Sequence, residues 1–359
     1  MRSPCSETLV LPKFDRVLHS RSIPVRAATG GRFAGMLTLA AQGPRSMEIT
    51  PRVHSIPAPQ AVFSGPQAPN VYLVVDGGQG ALIDAGYPDE AAITARLQYL
   101  RGMVGPSAGS GQALKLSHII VTHHHIDHCG GAHALRQATG APICLHPTEA
   151  RLLSQWRAAA PHDLDIPTEP QTMDDRLRAW RRATAQTTAD CLVQGGDTVQ
   201  VGGLTIEVID TPGHTLGSIC LYLRDEGVLF TGDTVLGLGT VAILPPPHGD
   251  MALYLQSLER LKSYQATLLC PGHGPPVRDV ARKLQELIDH RQERERQILA
   301  AVGQGRGRLE ALLADIYPEL DRRLVGMARV QLLAHLAKLE SEGKVARRGE
   351  ATGTLYILA

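Results

Sequence analysis

From Val71 onward the chain alternates short apolar runs with helix-like stretches. Val71-Tyr72-Leu73-Val74-Val75 and Ala81-Leu82-Ile83-Asp84 flank the turn Asp76-Gly77-Gly78-Gln79-Gly80, a pattern that predicts a hairpin. Residues 89–103 read as a helix and 104–112 as a Gly/Ser/Pro loop. Ile119-Ile120-Val121-Thr122 reads as a short buried strand, followed by a histidine-rich loop and a helix at about 130–139. Pro142–Leu145 predicts a strand whose proline stands at the first position, where a missing N–H is tolerated. A helix near 147–158 follows. Leu204–Asp210, Ser218–Leu223 and Val228–Thr231 then predict three closely spaced strands. Met251–Tyr264 reads as a helix, Thr267–Cys270 as a strand and Val280–Arg296 as a helix. Strands and helices alternating in two halves predict an α/β layered domain.

Three segments depart from this pattern. Residues 159–196 carry Pro161, Pro167 and Pro170 among many polar residues, and read as an insertion or lid rather than core. Residues 291–359 predict helices at Leu309–Ile316, Leu320–Gly326 and Arg329–Leu339 and a final hairpin, the element order of a winged helix. Residues 1–46 hold seven basic and two acidic residues without periodicity. They read as a non-core extension, with Met47 opening the domain, and an organellar transit peptide is the alternative.

Composition narrows the class. The 359 residues suggest about two domains, and 43% hydrophobic content allows a sizeable core. No apolar run approaches the ~18–20 residues of a membrane span. A net charge of +1 argues against bulk electrostatic binding of nucleic acid, and 4% aromatics against base stacking. The six cysteines form no C-x-x-C pair and read as reduced, mostly buried thiols of a cytoplasmic protein.

The fifteen histidines change the picture most. Thr122-His123-His124-His125-Ile126-Asp127-His128-Cys129-Gly130-Gly131 contains H-x-H-x-D-H between a strand and a helix. In a tight loop His123 and His125 can share one metal while Asp127 and His128 turn toward a second. His214, Asp233 and His273 each follow a later apolar strand, with glycine adjacent to let the backbone approach a crowded centre. Five histidines and two aspartates suffice for two metals. His124 is expected to point away from its neighbours, His248 is a weak candidate for the site rim, and Cys129 reads as a packed thiol.

These motifs resemble the metallo-β-lactamase superfamily over about residues 48–290. The resemblance implies an αββα sandwich with two metals at one edge. His123, His125 and His214 would hold the first zinc, Asp127, His128 and His273 the second, and Asp233 would bridge them. Asp84 would support the site from behind the ligands. Zinc is expected, with iron or manganese accepted by the same ligands. A shared hydroxide, oriented by Asp127, would attack a carbonyl or phosphorus. The bridging Asp233 resembles the binuclear hydrolases of the superfamily, so β-lactam hydrolysis would be at most a side activity.

The chain from 48 to 359 is further similar to the β-lactamase-like protein 2 family, whose animal member is a mitochondrial endoribonuclease. The resemblance runs through His248-Gly249-Asp250-Met251, Pro271-Gly272-His273-Gly274-Pro275, His290-Arg291-Gln292-Glu293-Arg294-Glu295 and Glu342-Gly343-Lys344-Val345. It implies a metallo-β-lactamase domain over 47–290, a winged helix over 291–359, and single-stranded RNA as substrate. The alternative is a small-molecule ester, thioester or lactone. Residues 291–359 hold 12 basic and nine acidic residues. Arg329, Lys338, Lys344, Arg347 and Arg348 could line a helix and wing facing phosphates, or the tail could instead serve packing or homodimerisation.

Overall fold

The computed structural model describes residues 47–56, 68–103, 114–159, 172–350 and 353–359. The expected extension 1–46, the loop 104–112 and the proline-rich part of 159–196 over 160–171 lie outside them. The first half runs β1 (Met47–Thr50), β2 (Val53–Ile56), β3 (Val71–Asp76), β4 (Gln79–Ile83), α1 (Glu90–Gly102), β5 (Lys115–Ile120), α2 (Ile126–Cys129), α3 (Ala132–Thr139), β6 (Ile143–Leu145), α4 (Pro147–Ala159), α5 (Met173–Ala185) and β7 (Cys191–Leu192). The second half runs β8 (Thr198–Val201), β9 (Leu204–Asp210), β10 (Ile219–Leu223), β11 (Val228–Gly232), α6 (Met251–Leu261), β12 (Leu268–Pro271) and α7 (Val280–Gly303). The tail adds α8 (Leu309–Ile316), α9 (Val325–Ser341), β13 (Val345–Glu350) and β14 (Gly353–Leu358).

Strands β1 to β7 form one sheet in sequence order, and β12-β11-β10-β9-β8 form a second. Successive side chains of a strand point to opposite faces, and here both faces are apolar. Tyr72 and Val74, Ala81 and Ile83, and Ile120 point to a shared inter-sheet core with Leu204, Ile206, Val208, Leu221 and Phe230. Val71, Leu73, Leu82 and Ile119 point outward into a layer with Leu135 and Leu153 of α3 and α4. On the other side, Ile209, Cys220, Tyr222, Leu229 and Leu269 meet Leu258, Leu284 and Ile288 of α6 and α7. The result is helix–sheet–sheet–helix, the αββα sandwich expected. A separate cluster of Ile298, Leu312, Leu332, Leu336 and Tyr356 holds the tail together.

The structure differs from the sequence expectations in four places. Residues 172–196 are not an insertion laid over the core. Helix α5 starts at a Thr172–Asp175 capping box, buries Trp180 and ties it to Asp89 by a 3.1 Å hydrogen bond. Strand β7 extends the first sheet beside β6. There Cys144 and Cys191 are register partners with Cα atoms 4.7 Å apart and form a disulfide, so these two are not reduced thiols; Cys129, Cys220 and Cys270 are free and buried. Helix α7, expected to end at Arg296, runs on to Gly303, so sandwich and tail share one helix. The helix expected over Leu320–Gly326 is a single 3-10 turn at Arg322–Leu324, after which α9 begins.

Candidate metal centre

Five chain segments reach one edge of the sandwich, each at the end of a strand. β4 ends at Asp84, β5 leads to His123 and His125, β9 to His214, β11 to Asp233 and β12 to His273. Asp127 and His128 lie in the first turn of α2. Gly232 adopts φ +46°, and a side chain there would press on Thr122. A Cβ at Gly272 would sit 2.6 Å from both Asp233 Oδ1 and His128 Cε1. Only glycine permits this closeness at each of the two positions.

The seven ligand-type residues converge. His123 Nε2 lies 3.0 Å from His125 Nδ1, which lies 2.9 Å from His214 Nε2. His128 Nε2 lies 3.2 Å from His273 Nε2 and 3.3 Å from Asp233 Oδ1. Asp127 Oδ2 lies 3.2 Å from His273 Nε2, and Asp233 Oδ2 lies 3.7 Å from His214 Nε2. His123, His125 and His214 therefore form one set able to hold a metal ion, and Asp127, His128 and His273 another. Asp233 reaches both.

The donor set fits metals rather than internal hydrogen bonding. Neutral imidazoles offer one N–H each, so three ring nitrogens converging at about 3 Å are not all paired at full strength by hydrogen bonds, and a shared cation would satisfy them together. Asp233 Oδ1 is buried with no hydrogen-bond partner, an orphan that a cation would satisfy. Nitrogen and carboxylate oxygen without thiolate suit zinc, iron or manganese.

Electrostatics divide the cluster in two. Burial, with neighbouring imidazoles, holds His123 and His125 well below the ordinary histidine pKa, and burial lowers His214. Burial works against charging His128 and His273, yet Asp233 and Asp127 raise both. Burial likewise opposes ionisation of Asp127, but His128 and His273 hold it down to about 2.

Two buried carboxylates stand behind the ligands. Asp84, at φ +61°, accepts from Thr122 N at 2.7 Å and Thr122 Oγ1 at 3.0 Å. Its Oδ2 lies 2.7 Å from His128 Nδ1, fixing that ring. Sequence reasoning missed the second, Glu149, which stands in the first turn of α4 and is fully buried. Its Oε2 accepts from His124 N at 2.8 Å and pairs with His124 Nδ1. Its Oε1 accepts from Thr215 Oγ1 and Gly217 N, both at 2.9 Å. Glu149 thus clamps the loop of His123 and His125 to the loop of His214. His124 does turn away from the ligands, but as half of this clamp, with its ring on Trp156. Cys129 is buried and its thiol is pushed up to about 12, which leaves no thiolate for nucleophilic chemistry.

The tail residues expected to face phosphates fall out differently. Lys338 is a correction: it is half-buried and paired with Glu295 (2.8 Å) and Glu342 (2.7 Å) rather than held out to solvent. Arg329 pairs with Glu310, Lys344 with Glu342 and Arg347 with Glu340, at 2.6, 2.8 and 2.8 Å. Arg347 and Arg348 lie exposed on β13.

Stacked sheets with strand-end His and Asp residues clustered so that they could hold metal define a metallohydrolase-type sandwich. The metallo-beta-lactamase superfamily profile matches residues 64–273, and the beta-lactamase associated winged helix domain matches 309–353. The chain belongs to the metallo-beta-lactamase superfamily and carries that winged helix domain at its C-terminal side. It is 29% identical over 233 residues to the beta-lactamase-like protein 2 homolog of Caenorhabditis elegans, covering 65% of each chain. It is 30% identical over 236 residues to the atrochrysone carboxyl ACP thioesterase of Aspergillus fumigatus, covering 66% of this chain and 60% of that one. The match thus spans less than two thirds of the length of these curated relatives. A crystal structure of a metallo-beta-lactamase family protein from Thermus thermophilus superposes with TM-score 0.66 at 28% identity, covering 86% of this chain and 99% of that chain. Among the described residues no helix is long and apolar enough to cross a membrane.

Proposed function

We propose that this protein is a metal-dependent hydrolase with a dinuclear centre, acting on an acyl substrate of the thioester or ester class. The observation that carries the hydrolase reading is the convergence of two three-residue ligand sets on the carboxylate of Asp233. His123, His125 and His214 would hold one ion, Asp127, His128 and His273 the other. Activation of water and polarisation of the substrate oxygen are the chemistry such a pair supplies when bound.

The protein's own residues do the rest. His123, His125 and His214 stay neutral because they are buried among one another, so their lone pairs remain available. Asp84 holds His128, and Glu149 holds the two ligand loops in register. Asp127 stays ionised and can accept a hydrogen bond from the attacking water, orienting it.

Two features favour an acyl substrate over RNA. Arg329, Lys338, Lys344 and Arg347 are matched to the tail's own carboxylates, with Lys338 half-buried. Leu216, two residues past His214, and Leu238, beside the Gly237 N–H that donates to His273 O, are exposed apolar side chains on the ligand loops. A thiolate also leaves without needing a proton from the enzyme. The similarity to a fungal acyl-carrier-protein thioesterase supports the same reading.

The test is turnover by zinc-loaded protein of an acyl thioester, a lactone and a labelled single-stranded RNA, with Asp127→Ala as the blank. Thioester or lactone hydrolysis lost in the variant is expected. RNA cleavage that is lost in the variant and weakened by salt, with acyl substrates untouched, would overturn the substrate reading and make the exposed wing a phosphate contact.

A further inference from the structure

We propose that Arg291 and Gln331, on the two helices that bind the tail to the sandwich, are positioning residues for the metal ligand His214. They act through the segment 240–243, which lies between β11 and α6. His214 Nδ1 donates to the carbonyl of Ala242 at 2.8 Å. A carbonyl only accepts, so this bond places the proton on Nδ1 and leaves the Nε2 lone pair for the metal. Nε2 is the atom that faces His125 and Asp233.

The carbonyls on either side of Ala242 face the tail helices. Arg291 Nη2 donates to Val241 O at 2.6 Å and to Thr240 Oγ1 at 2.5 Å. Gln331 Nε2 donates to Ile243 O at 2.9 Å. Arg291 Nη1 donates to Gln331 Oε1 at 2.9 Å, joining the two side chains. The carbonyls of 241 and 243 thus go to the tail helices while the one between them goes to His214, so holding the outer two holds the inner one in place. Both side chains are buried, Arg291 at 2% and Gln331 at 9% exposure. Val241 and Ile243 pack into the same core layer as Ala334 of α9.

Three links join tail to metal centre: α7 and α9 hold the segment, the segment holds the imidazole, and the imidazole presents Nε2. The tail is thereby part of the construction of the site rather than an appended module. The inference rests on His214 being a metal ligand.

The experiment compares full-length wild type with Gln331→Leu, which keeps bulk but removes the donor and acceptor. Zinc affinity is read by competition with a chromophoric chelator, and the His214 Nδ1–H by NMR of imidazole-labelled, metal-free protein. Gln331→Leu is expected to weaken one of two zinc equivalents by about 10- to 100-fold, the range seen when a ligand's supporting partner is removed. Its Nδ1–H signal is expected to exchange faster with water. Arg347→Ser, on the exposed wing, is expected to alter neither. Affinities within twofold of wild type, with a slowly exchanging Nδ1–H, would overturn the proposal. Should Gln331→Leu not fold, Thr240→Val removes the exposed end of the same arrangement and is expected to weaken one equivalent by about threefold. Failure of wild type to bind two zinc ions would instead strike the metal assignment, and the imidazole signal would still decide the segment's role.

Discussion

At the sandwich edge, imidazole nitrogens face one another at 2.9–3.2 Å with few opposite charges between them. In the tail, Arg329, Lys338, Lys344 and Arg347 each have a carboxylate within 2.8 Å. Both regions are dense in ionisable groups, yet one is left electrically incomplete and the other is satisfied. A cluster that does not satisfy itself could hold a metal ion. A cluster that does satisfy itself contributes structure. The distinction lies in whether a partner stands within reach, which counting charges along the chain does not reveal.

The largest effect that could break this comparison lies at the ligands. His125→Ala combined with Asp233→Ala is expected to reduce bound metal from two ions per chain toward none by elemental analysis, and to lower turnover by about 10³-fold or more. Unchanged metal content would remove the site assignment altogether.

Removing Glu149 tests the clamp. Glu149→Ala leaves His124, Thr215 and Gly217 without their buried acceptor, and should cost about 3–5 kcal/mol of stability by urea unfolding. A loss below about 1 kcal/mol would mean that the two ligand loops do not depend on it. Asp84→Asn keeps an acceptor for Thr122 but weakens the hold on His128. It should lower metal affinity or activity by about 10- to 100-fold with little change in unfolding midpoint.

The tail offers a pH test. Burial opposes ionisation of Glu295, but His335 and Lys338 lower its pKa, so its contribution is present above the unfolded value and fades as pH falls through the folded one. Burial lowers His335. The unfolded chain therefore takes up a proton below about pH 6.5 that the folded chain resists. From pH 7 to pH 5 the His335 effect alone applies, so thermal stability of the tail should fall over that range, and Glu295 adds its loss only below pH 4.5. A flat profile from pH 7 to pH 5 would mean that His335 does not titrate with unfolding. The smallest effect is expected from Arg347→Ser with Arg348→Ser. These side chains are exposed, and a surface ion pair is worth about 0–1 kcal/mol. Acyl turnover should change less than about twofold; a marked fall in binding of a polyanion would instead sharpen the case for phosphate recognition.

The clustering of the candidate ligand residues was legible because each is a local event. An apolar strand ends, a glycine loosens the backbone, and a His or Asp follows, so a few residues of context suffice at His214, Asp233 and His273. The strands of the sandwich were legible for a related reason, since burial on both faces makes them nearly continuous apolar runs. β1 and β2, short and partly polar, and the two-residue β7 gave too little pattern to be read.

The sequence by itself determined which residues are chemically capable of holding metal and roughly where the strands that carry them run. Tertiary structure decided the rest. Glu149 meets Gly217 across 68 positions, Cys144 meets Cys191 across 47, and Arg291 meets Val241 across 50. Such pairings depend on how two sheets stack and where a helix crosses them. No local pattern encodes that, because the free energy that selects it comes from burying the whole core at once.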